Sequence, residues 1–359
     1  MRGLRLLLGA CLLAVSAPAA AADSFAPVDI TTTKLAEGVY QFTVAADGYV
    51  EQLNTVAIVT DRDVLVFDTS TRPSSAKRIL AEIRKITPKP VRFVANSHWH
   101  PDHWSGNEVF AAANPDLEII ATEQERDFML NLSPFYLSYI PKGLEAQEKA
   151  VAEQFHSGKR PDGSPLTPEL RKQIELELQQ IRDLTAEQLK VKRTYPTLTY
   201  TDRMTLRHGG REFQFISVTG DAAGTTVLYL PAEKILMTGD AVSYPLPYYT
   251  PPLSEHAKSL RALAQLDTAI IVPGHGPAFR DKAYMLLEAE LFEEVLRQVQ
   301  AALRGGAVSI DDVQAKVNFD SLKDRFARGD QSIADQFPAF TKGMVRKAYI
   351  ELRDSKEIR

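Results

Sequence analysis

The sequence predicts a mixed α/β fold with a helical insertion and additional helices at its C-terminal end. Short apolar runs bounded by turn residues indicate strands, and the first three cover residues 38–44, 54–60 and 64–68. Apolar runs then alternate with amphipathic segments, which favours βα units. A charged stretch with helical periodicity covers residues 123–195, and similar periodicity returns after residue 280.

The individual elements follow from local patterns. Asp61-Arg62-Asp63 lies between the second and third runs, which predicts a tight hairpin. Ser74 or Ser75 is expected to cap a helix with apolar positions at Ile79, Leu80 and Ile83. Further strands are predicted over residues 91–95, 117–121, 204–206, 213–218, 226–230, 235–237 and 269–272. Further helices are predicted over residues 106–113, 144–155, 167–191, 254–266, 288–303, 310–317 and 333–352.

The N-terminal residues have the pattern of a secretion signal. Arg2 and Arg5 precede an apolar core over residues 6–15, and Ala20-Ala21-Ala22 suits cleavage before Asp23. The apolar core is too short for a comfortable membrane span, and no later stretch is long enough. We therefore expect a periplasmic or secreted protein without a stable membrane span once the signal is removed.

Three segments are predicted in chain order. Residues 1–22 are the signal peptide, residues 23–280 a domain that carries the helical insertion, and residues 281–359 a helical extension. The aromatic and apolar residues from 128 to 139, at the front of the insertion, either pack in a core or cover a substrate pocket as a lid.

Composition excludes several classes of site. Cys11 is the only cysteine, so the mature chain has no disulfide, no thiolate metal ligand and no cysteine nucleophile. The residues up to Cys11 faintly resemble a lipoprotein cleavage box, but the apolar run before it is short, so lipid attachment is the weaker alternative. Removing the two signal arginines leaves 40 basic and 46 acidic residues, and this net charge of −6 argues against nucleic-acid binding.

Four potential metal ligands occur within the six residues His98-Trp99-His100-Pro101-Asp102-His103. Imidazole and carboxylate groups are the ligands that zinc and similar divalent ions prefer. In an extended segment, side chains two positions apart point the same way, so His98 and His100 can share one ion. Pro101 then bends the chain and directs Asp102 and His103 elsewhere, towards a second ion.

Three later segments place a possible ligand just after an apolar strand. Asp221, Asp240 and His275 each follow such a strand and have a glycine beside them. Glycine allows the backbone to turn sharply close to an ion. These positions are therefore candidates to complete a centre that binds two metals.

Together these motifs resemble those of the metallo-β-lactamase superfamily of hydrolases. The resemblance rests on His98-x-His100-x-Asp102-His103, Gly239-Asp240 and Pro273-Gly274-His275-Gly276, in that order, and covers roughly residues 35–280. It implies an αββα sandwich with two metals at one edge. In that pattern, the first metal binds His98 and His100, the second binds Asp102, His103 and His275, and Asp240 bridges them.

One position departs from the pattern. The superfamily usually offers a third histidine to the first metal, whereas this chain has no histidine between His208 and His256. Counting back from the strand that ends near Leu230 places Asp221 at that point. Alkylsulfatases of the superfamily are similar in carrying a carboxylate there, so Asp221 is predicted to be the third ligand; the alternative is a turn cap.

The substrate-binding candidates lie close to these motifs in sequence. Trp99 lies between two predicted ligands, and Tyr244, Tyr248 and Tyr249 follow Asp240 on a proline-rich loop. His256 stands in the first turn of a predicted helix and is a further candidate. All five are candidates to line the site, and for His256 the alternative is an exposed or capping role.

The resemblance implies a metal-dependent hydrolase that acts on a small-molecule substrate. Two divalent ions are expected, zinc first, with manganese or iron as alternatives because Asp221 adds a hard ligand. A metal-bound hydroxide would attack an ester, sulfate ester, lactone, lactam or phosphoester, and Asp102 is also a candidate to move a proton. β-Lactamase-type amide hydrolysis and a non-catalytic metal-binding protein remain alternatives, and the sequence leaves the oligomeric state open.

Overall fold

The computed structural model describes residues 29–47, 50–160, 163–250 and 252–354, and the predicted signal peptide lies outside them. The strands are β1 Ile30–Ala36, β2 Val39–Asp47, β3 Val50–Val59, β4 Val64–Phe67, β5 Val91–Ala95, β6 Glu118–Thr122, β7 Leu198–Tyr200, β8 Arg203–His208, β9 Arg211–Thr219, β10 Ala223–Leu230, β11 Ile235–Ser243 and β12 Ile270–His275. The helices are α1 Pro73–Ile86, α2 Pro101–Trp104, α3 Asn107–Ala113, α4 Glu123–Asn131, α5 Ser133–Ser157, α6 Pro168–Gln188, α7 Leu253–Leu263, α8 Ala283–Arg304, α9 Ile310–Gln314, α10 Asp320–Ala327 and α11 Gln331–Asp354.

The strands of the described residues form two halves of one hydrogen-bonded sheet path. In the first half, β1 to β4 pair as antiparallel neighbours and β4 to β7 as parallel neighbours. In the second half, β8 to β11 are antiparallel and β12 lies parallel to β11. The halves join where Leu53 of β3 pairs with His275 of β12, so one predicted metal ligand lies at this junction.

The two halves pack face to face with helices on both outer surfaces. Phe67 and Phe93 of the first half meet Phe213, Phe215 and Met237 of the second in one buried cluster. Helices α1 and α3 cover the outer face of the first half, while α7, α8 and the C-terminal helices cover the second. This arrangement confirms the predicted αββα sandwich.

The hairpin between β3 and β4 is confirmed, but the predicted cap of α1 is wrong. Helix α1 begins at Pro73 after Arg72, which makes no side-chain cap. Instead, the backbone N–H and hydroxyl of Ser74 donate to the carboxylate of Glu187, while Ser75 is buried. A partner more than one hundred residues away therefore takes the hydroxyl that the local pattern had assigned to the cap.

The predicted helical stretch after β6 contains α4, α5 and α6. Helices α5 and α6 pack on each other around their own apolar cluster, which includes Leu144, Leu178 and Leu184. The buried guanidinium of Arg72 lies 2.7 Å from the Glu187 carboxylate and ties the end of α6 to the sandwich. The extent of the domains and of the signal peptide stays a prediction.

The C-terminal helices α8 to α11 pack on the second half of the sandwich. Phe292 of α8, Phe326 of α10 and both Phe337 and Met344 of α11 belong to the large cluster beneath β9 to β12. The chain after residue 280 therefore completes the core of the sandwich rather than standing apart. Within the residues described, no helix is both long and apolar enough to cross a bilayer.

Candidate metal centre

The predicted ligand residues come together at one edge of the sandwich. They are carried by five separate segments: the loop after β5, the short helix α2, the turn between β9 and β10, the middle of β11, and the end of β12. All are buried except the half-buried His100, and they are His98, His100, Asp102, His103, Asp221, Asp240 and His275. Metal binding by these seven residues stays a prediction.

The first group consists of His98, His100, Asp221 and Asp240, whose possible ligand atoms all lie within 4.8 Å of one another. Nε2 of His98 is 2.9 Å from Nδ1 of His100, and that Nδ1 is 3.1 Å from a carboxylate oxygen of Asp221. Nε2 of His98 also lies 3.7 Å from Oδ2 of Asp240. Asp221 therefore occupies the position of a third ligand to the first ion.

The second group consists of Asp102, His103, Asp240 and His275, with the same 4.8 Å limit. Oδ2 of Asp102 lies 3.2 Å from Nε2 of both His103 and His275. Oδ2 of Asp240 is 3.3 Å from Nε2 of His103 and 3.6 Å from Nε2 of His275. Asp240 thus belongs to both groups, as a bridging ligand would.

Two features indicate that the groups suit cations. Oδ1 of Asp240 is buried and has no hydrogen-bond partner among the described residues, which is costly unless an ion satisfies it. The backbone is also adapted to the carboxylate, because a Cβ on Gly274 would lie 2.0 Å from Oδ1 of Asp240. Gly239 has a φ of 49° and turns β11 so that Asp240 faces the site. The residues therefore fit two divalent ions.

A buried carboxylate that the sequence analysis did not single out orients one ligand. Oδ2 of Asp68, just after β4, accepts a hydrogen bond from Nδ1 of His103 at 2.8 Å, and Oδ1 accepts the backbone N–H of Ser97 at 2.7 Å. With its Nδ1 proton held there, His103 presents Nε2 to the site. In the same way, Nδ1 of His98 forms a hydrogen bond with the Ser97 hydroxyl at 3.0 Å, which leaves Nε2 of His98 directed towards the site.

Two further polar residues position ligands from a distance. The hydroxyl of Thr250 donates to Oδ1 of Asp221 at 2.8 Å, leaving Oδ2 directed at His100. The side-chain amide of Asn54 donates to the carbonyls of Pro273 and Gly276, which lie on either side of His275. No sequence pattern identifies Thr250 or Asn54 as residues that position metal ligands. Asp68 could have been found, because it follows an apolar strand, as the candidate ligand Asp221 does.

The carboxylates and imidazoles strongly shift one another's pKa values. Burial alone would lower the pKa of His275, but Asp240 and Asp102 outweigh it and raise that pKa to about 10. Likewise, Asp102, Asp240 and Asp68 raise the pKa of His103 well above its usual value despite burial. Without a metal, these raised pKa values favour the protonated rings, so a metal that binds the neutral rings would have to displace the protons.

The metal-ligand groups form the floor of a cavity of about 760 Å³. The predicted substrate contacts Trp99, Tyr244, Tyr248 and Tyr249 all line it. The Trp99 ring lies 4.6 Å from that of His100, and the Tyr248 ring lies edge-on to His275 at 5.5 Å. The cavity therefore combines a charged floor with aromatic walls.

His256 is not in this cavity. Its ring is fully buried, stacks near Phe292 at 4.6 Å and lies 2.9 Å through Nε2 from the carbonyl of Ala241. It therefore contacts the backbone of β11 one residue beyond Asp240 and has no exposed surface with which to contact a substrate, which does not agree with the predicted substrate contact.

Of the residues predicted to form either a core or a lid, Phe128 of α4 lies edge-on to the cavity residue Trp99 at 6.2 Å between ring centroids. The side chains of Phe135, Tyr136 and Tyr139 lie outside the described part of the structure, so the lid stays a prediction.

Comparison with known proteins agrees with this geometry. The sequence profile of the metallo-beta-lactamase superfamily matches residues 48–275. A linear primary-alkylsulfatase of Pseudomonas sp. (strain ATCC 19151) is 24% identical over 253 residues, which are 67% of this chain and 43% of that protein. The chain thus spans less than half the length of this curated relative.

Solved structures show the same fold. A stereoselective inverting sec-alkylsulfatase from Pseudomonas sp. superposes with a TM-score of 0.60 at 15% identity, covering 90% of this chain and 50% of that one. A metallo-beta-lactamase from Pontibacter korlensis superposes with a TM-score of 0.51 at 16% identity, covering 73% of this chain and 99% of that one. With the profile matching well over half of its residues, this chain belongs to the metallo-beta-lactamase superfamily.

Proposed function

We propose that this chain is a hydrolase that uses two divalent metal ions, with zinc as the first candidate. Its substrate is a small-molecule ester that carries an apolar group. The observation that carries the proposal is the pair of ligand groups that share Asp240 beneath an aromatic cavity. The superfamily consists of metallohydrolases, and the first candidate substrate is a sulfate ester.

The ions and the protein would divide the work. Two bound ions would polarise the substrate and supply a water nucleophile at neutral pH. Asp68 and Ser97 keep His103 and His98 in the tautomers that direct Nε2 inwards. Thr250 fixes the orientation of Asp221, and the aromatic walls exclude water from the apolar part of the substrate.

Charge favours a sulfate ester over a phosphate monoester. Two divalent ions would bring four positive charges, and Asp102, Asp221, Asp240 and a metal-bound hydroxide would bring four negative ones, so the centre would be neutral before a substrate binds. Among the described residues that line the cavity, none is a lysine or arginine. A sulfate ester adds one negative charge to this centre, whereas a phosphate monoester adds two with no cationic side chain to offset them.

The similarity of this chain to two alkylsulfatases supports the same choice. Asp221 lies where most members of the superfamily are expected to have a histidine, and the carboxylate is the feature that the sequence shares with alkylsulfatases. Carboxyl esters, lactones and lactams do not carry the second negative charge of a phosphate monoester, so they are the alternative substrates to compare with the sulfate ester.

A substrate panel tests the proposal. Zinc-loaded protein is offered sulfate, carboxyl and phosphate esters with the same chromogenic leaving group, and a chromogenic lactam. We expect the highest kcat/KM on the sulfate ester and its loss in His100→Ala. His156→Ala removes an exposed histidine of α5 and serves as the matched control with unchanged activity.

Two results would contradict the proposal. Activity that survives in His100→Ala at the level of the control would show that the ligand groups do not catalyse the reaction. A protein that binds two zinc ions but hydrolyses none of the substrates would favour a non-catalytic metal-binding role. A preference for the lactam would instead assign β-lactamase-type amide hydrolysis.

We further propose that the mature protein is periplasmic or secreted. The support is the basic, apolar and small-residue pattern of residues 1–22. N-terminal sequencing of protein recovered from the periplasm is expected to begin at Asp23. A full-length chain that stays in the cytoplasm would contradict this.

A further inference from the structure

The C-terminal helix α11 reaches the candidate active site. Gln336 and Phe340 of this helix line the same cavity as the ligand groups, and their spacing of four residues places them on one helix face. Both lie well beyond residue 275, where the match to the superfamily ends. The wall they form therefore lies outside the part of the chain that the superfamily profile matches.

Phe340 differs from the core residues of the same helix. Phe337, Met344 and Val345 are almost completely buried in the large cluster beneath the sheet. Phe340 is only half-buried and packs on the edge of that cluster, with its remaining surface towards the cavity. An apolar ring at this position offers surface that an apolar ligand can cover.

Tyr249 fixes the position of this ring. The rings of Tyr249 and Phe340 meet edge-on at 5.3 Å, and the Tyr249 hydroxyl lies 3.3 Å from the backbone carbonyl of Phe340. Gly343 leaves space for that hydroxyl, because a Cβ there would lie 2.4 Å from the Tyr249 oxygen. The wall is thus held before any substrate enters, which lowers the cost of binding.

The cavity is polar at one end and apolar at the other. His100, Asp102 and Asp240 form the floor, while Tyr248 and Phe340 belong to the apolar walls. We propose that Phe340 is a specificity-determining residue that contacts the apolar part of the substrate and sets the length of chain the site accepts. This inference rests on the proposed hydrolysis of esters with an apolar group.

Binding of 1-alkanols measures this contact without requiring turnover. Trp99 lines the cavity and Trp104 is buried, so the fluorescence of the two tryptophans reports entry of a ligand beside Trp99. Zinc-loaded protein is titrated with 1-propanol to 1-octanol. We expect the affinity to rise about fourfold for each methylene group that the walls cover.

Phe340→Ala is expected to weaken binding of the longest alcohols about tenfold or more and to change that of 1-propanol less than twofold. In hydrolysis, the same variant should raise KM for long-chain esters and keep kcat for short-chain ones. Ile350→Ala, at an exposed apolar position of the same helix, is the matched control and should behave as wild type. Phe340→Leu is apolar but smaller and not aromatic, so it guards against a folding defect in the alanine variant and should change the chain-length profile in the same direction by a smaller amount.

The outcomes separate the two claims. Hydrolysis by wild type with the same chain-length profile in folded Phe340→Ala or Phe340→Leu would overturn the role of Phe340 alone. Alternatively, the wild type could hydrolyse no substrate of the panel but still bind longer alcohols more tightly, with this dependence on chain length lost in Phe340→Ala. That result would overturn the proposed hydrolysis alone. Wild-type affinity that does not change along the alcohol series would also overturn the inference.

Discussion

Gly274→Ala should disable both metal sites with one added methyl group. The new Cβ would lie 2.0 Å from Oδ1 of Asp240, whereas ordinary contacts begin at 3.4 Å. The carboxylate must therefore move by roughly 1.4 Å, several times the variation of about 0.2 Å that metal–ligand bonds tolerate. Because Asp240 belongs to both ligand groups, both ions lose a ligand.

The expected consequence is a large loss of activity in a folded protein. A displacement of about 1 Å at the reacting centre can cost about 100-fold in rate, which corresponds to about 2.7 kcal/mol. We expect kcat/KM to fall at least that far and the metal content after dialysis to drop below two equivalents. Elemental analysis and circular dichroism of the same sample separate metal loss from unfolding.

Gly143→Ala provides the matched control, because among the described residues no atom lies within 4 Å of the Cβ that it would add on helix α5. This variant should keep both metals and full activity, and Ala in a helix should even stabilise it slightly. The reasoning is refuted if Gly274→Ala retains two tightly bound metals and activity within about twofold of the control. In that case the close approach of Gly274 to Asp240 has no role in metal binding.

Three further predictions follow from the contacts around the ligands. Thr250→Val removes the hydrogen bond to Asp221 and should weaken binding of one of the two metals about tenfold in a competition assay, while Thr250→Ser restores it. Asp221→His removes a negative charge next to the ions, which would then acidify a water molecule more strongly, so the activity optimum should move to lower pH; a pH–rate profile that stays or moves up contradicts this. Metal-free protein should lose stability as the pH rises from 7 to 10. The pKa of His275 is raised to about 10 in the folded protein, compared with about 6.5 in the unfolded chain. Protonation of His275 therefore stabilises the fold fully below pH 6.5, and this stabilisation is lost as the ring deprotonates. Urea unfolding with a chelator present measures this, and zinc affinity should increase over the same pH range.

Local pattern was sufficient for most of the sandwich and for the ligand cluster. The strands β2 to β6 and β9 to β12 each contain several buried apolar residues, and β-branched residues in such runs favour a buried strand. The ligands lie where those strands end, so the sequence order of the motifs already indicated which side chains converge. The division into two groups also agrees with the bend predicted at Pro101, where helix α2 begins.

The elements that the sequence analysis missed depend on partners far along the chain. Strand β1 is mostly polar and exposed, and it is a strand because it pairs with β2. The hydroxyl of Ser74 donates to the carboxylate of Glu187 rather than capping α1, and the hydroxyl of Thr250 donates to the carboxylate of Asp221. His256 stands at a helix start that looked exposed, but tertiary packing buries it behind β11.

The wall at Phe340 was beyond any local argument. Nothing in the periodicity of α11 distinguishes a half-buried phenylalanine from its neighbours in the core. Its role follows only from the way the C-terminal helices fold back over β11 and the loop that carries Tyr249. The proposed specificity therefore depends on tertiary packing that no local pattern predicts, whereas the candidate metal ligands belong to short motifs that can be recognised without the fold.

Anomalous scattering from crystals of the zinc-loaded protein tests the central claim most directly. Data collected above and below the zinc edge should show two peaks, one among His98, His100 and Asp221, the other among Asp102, His103 and His275, with Asp240 bound to both. A single peak, or zinc bound away from these residues, would contradict the two-metal centre on which the proposed hydrolysis depends.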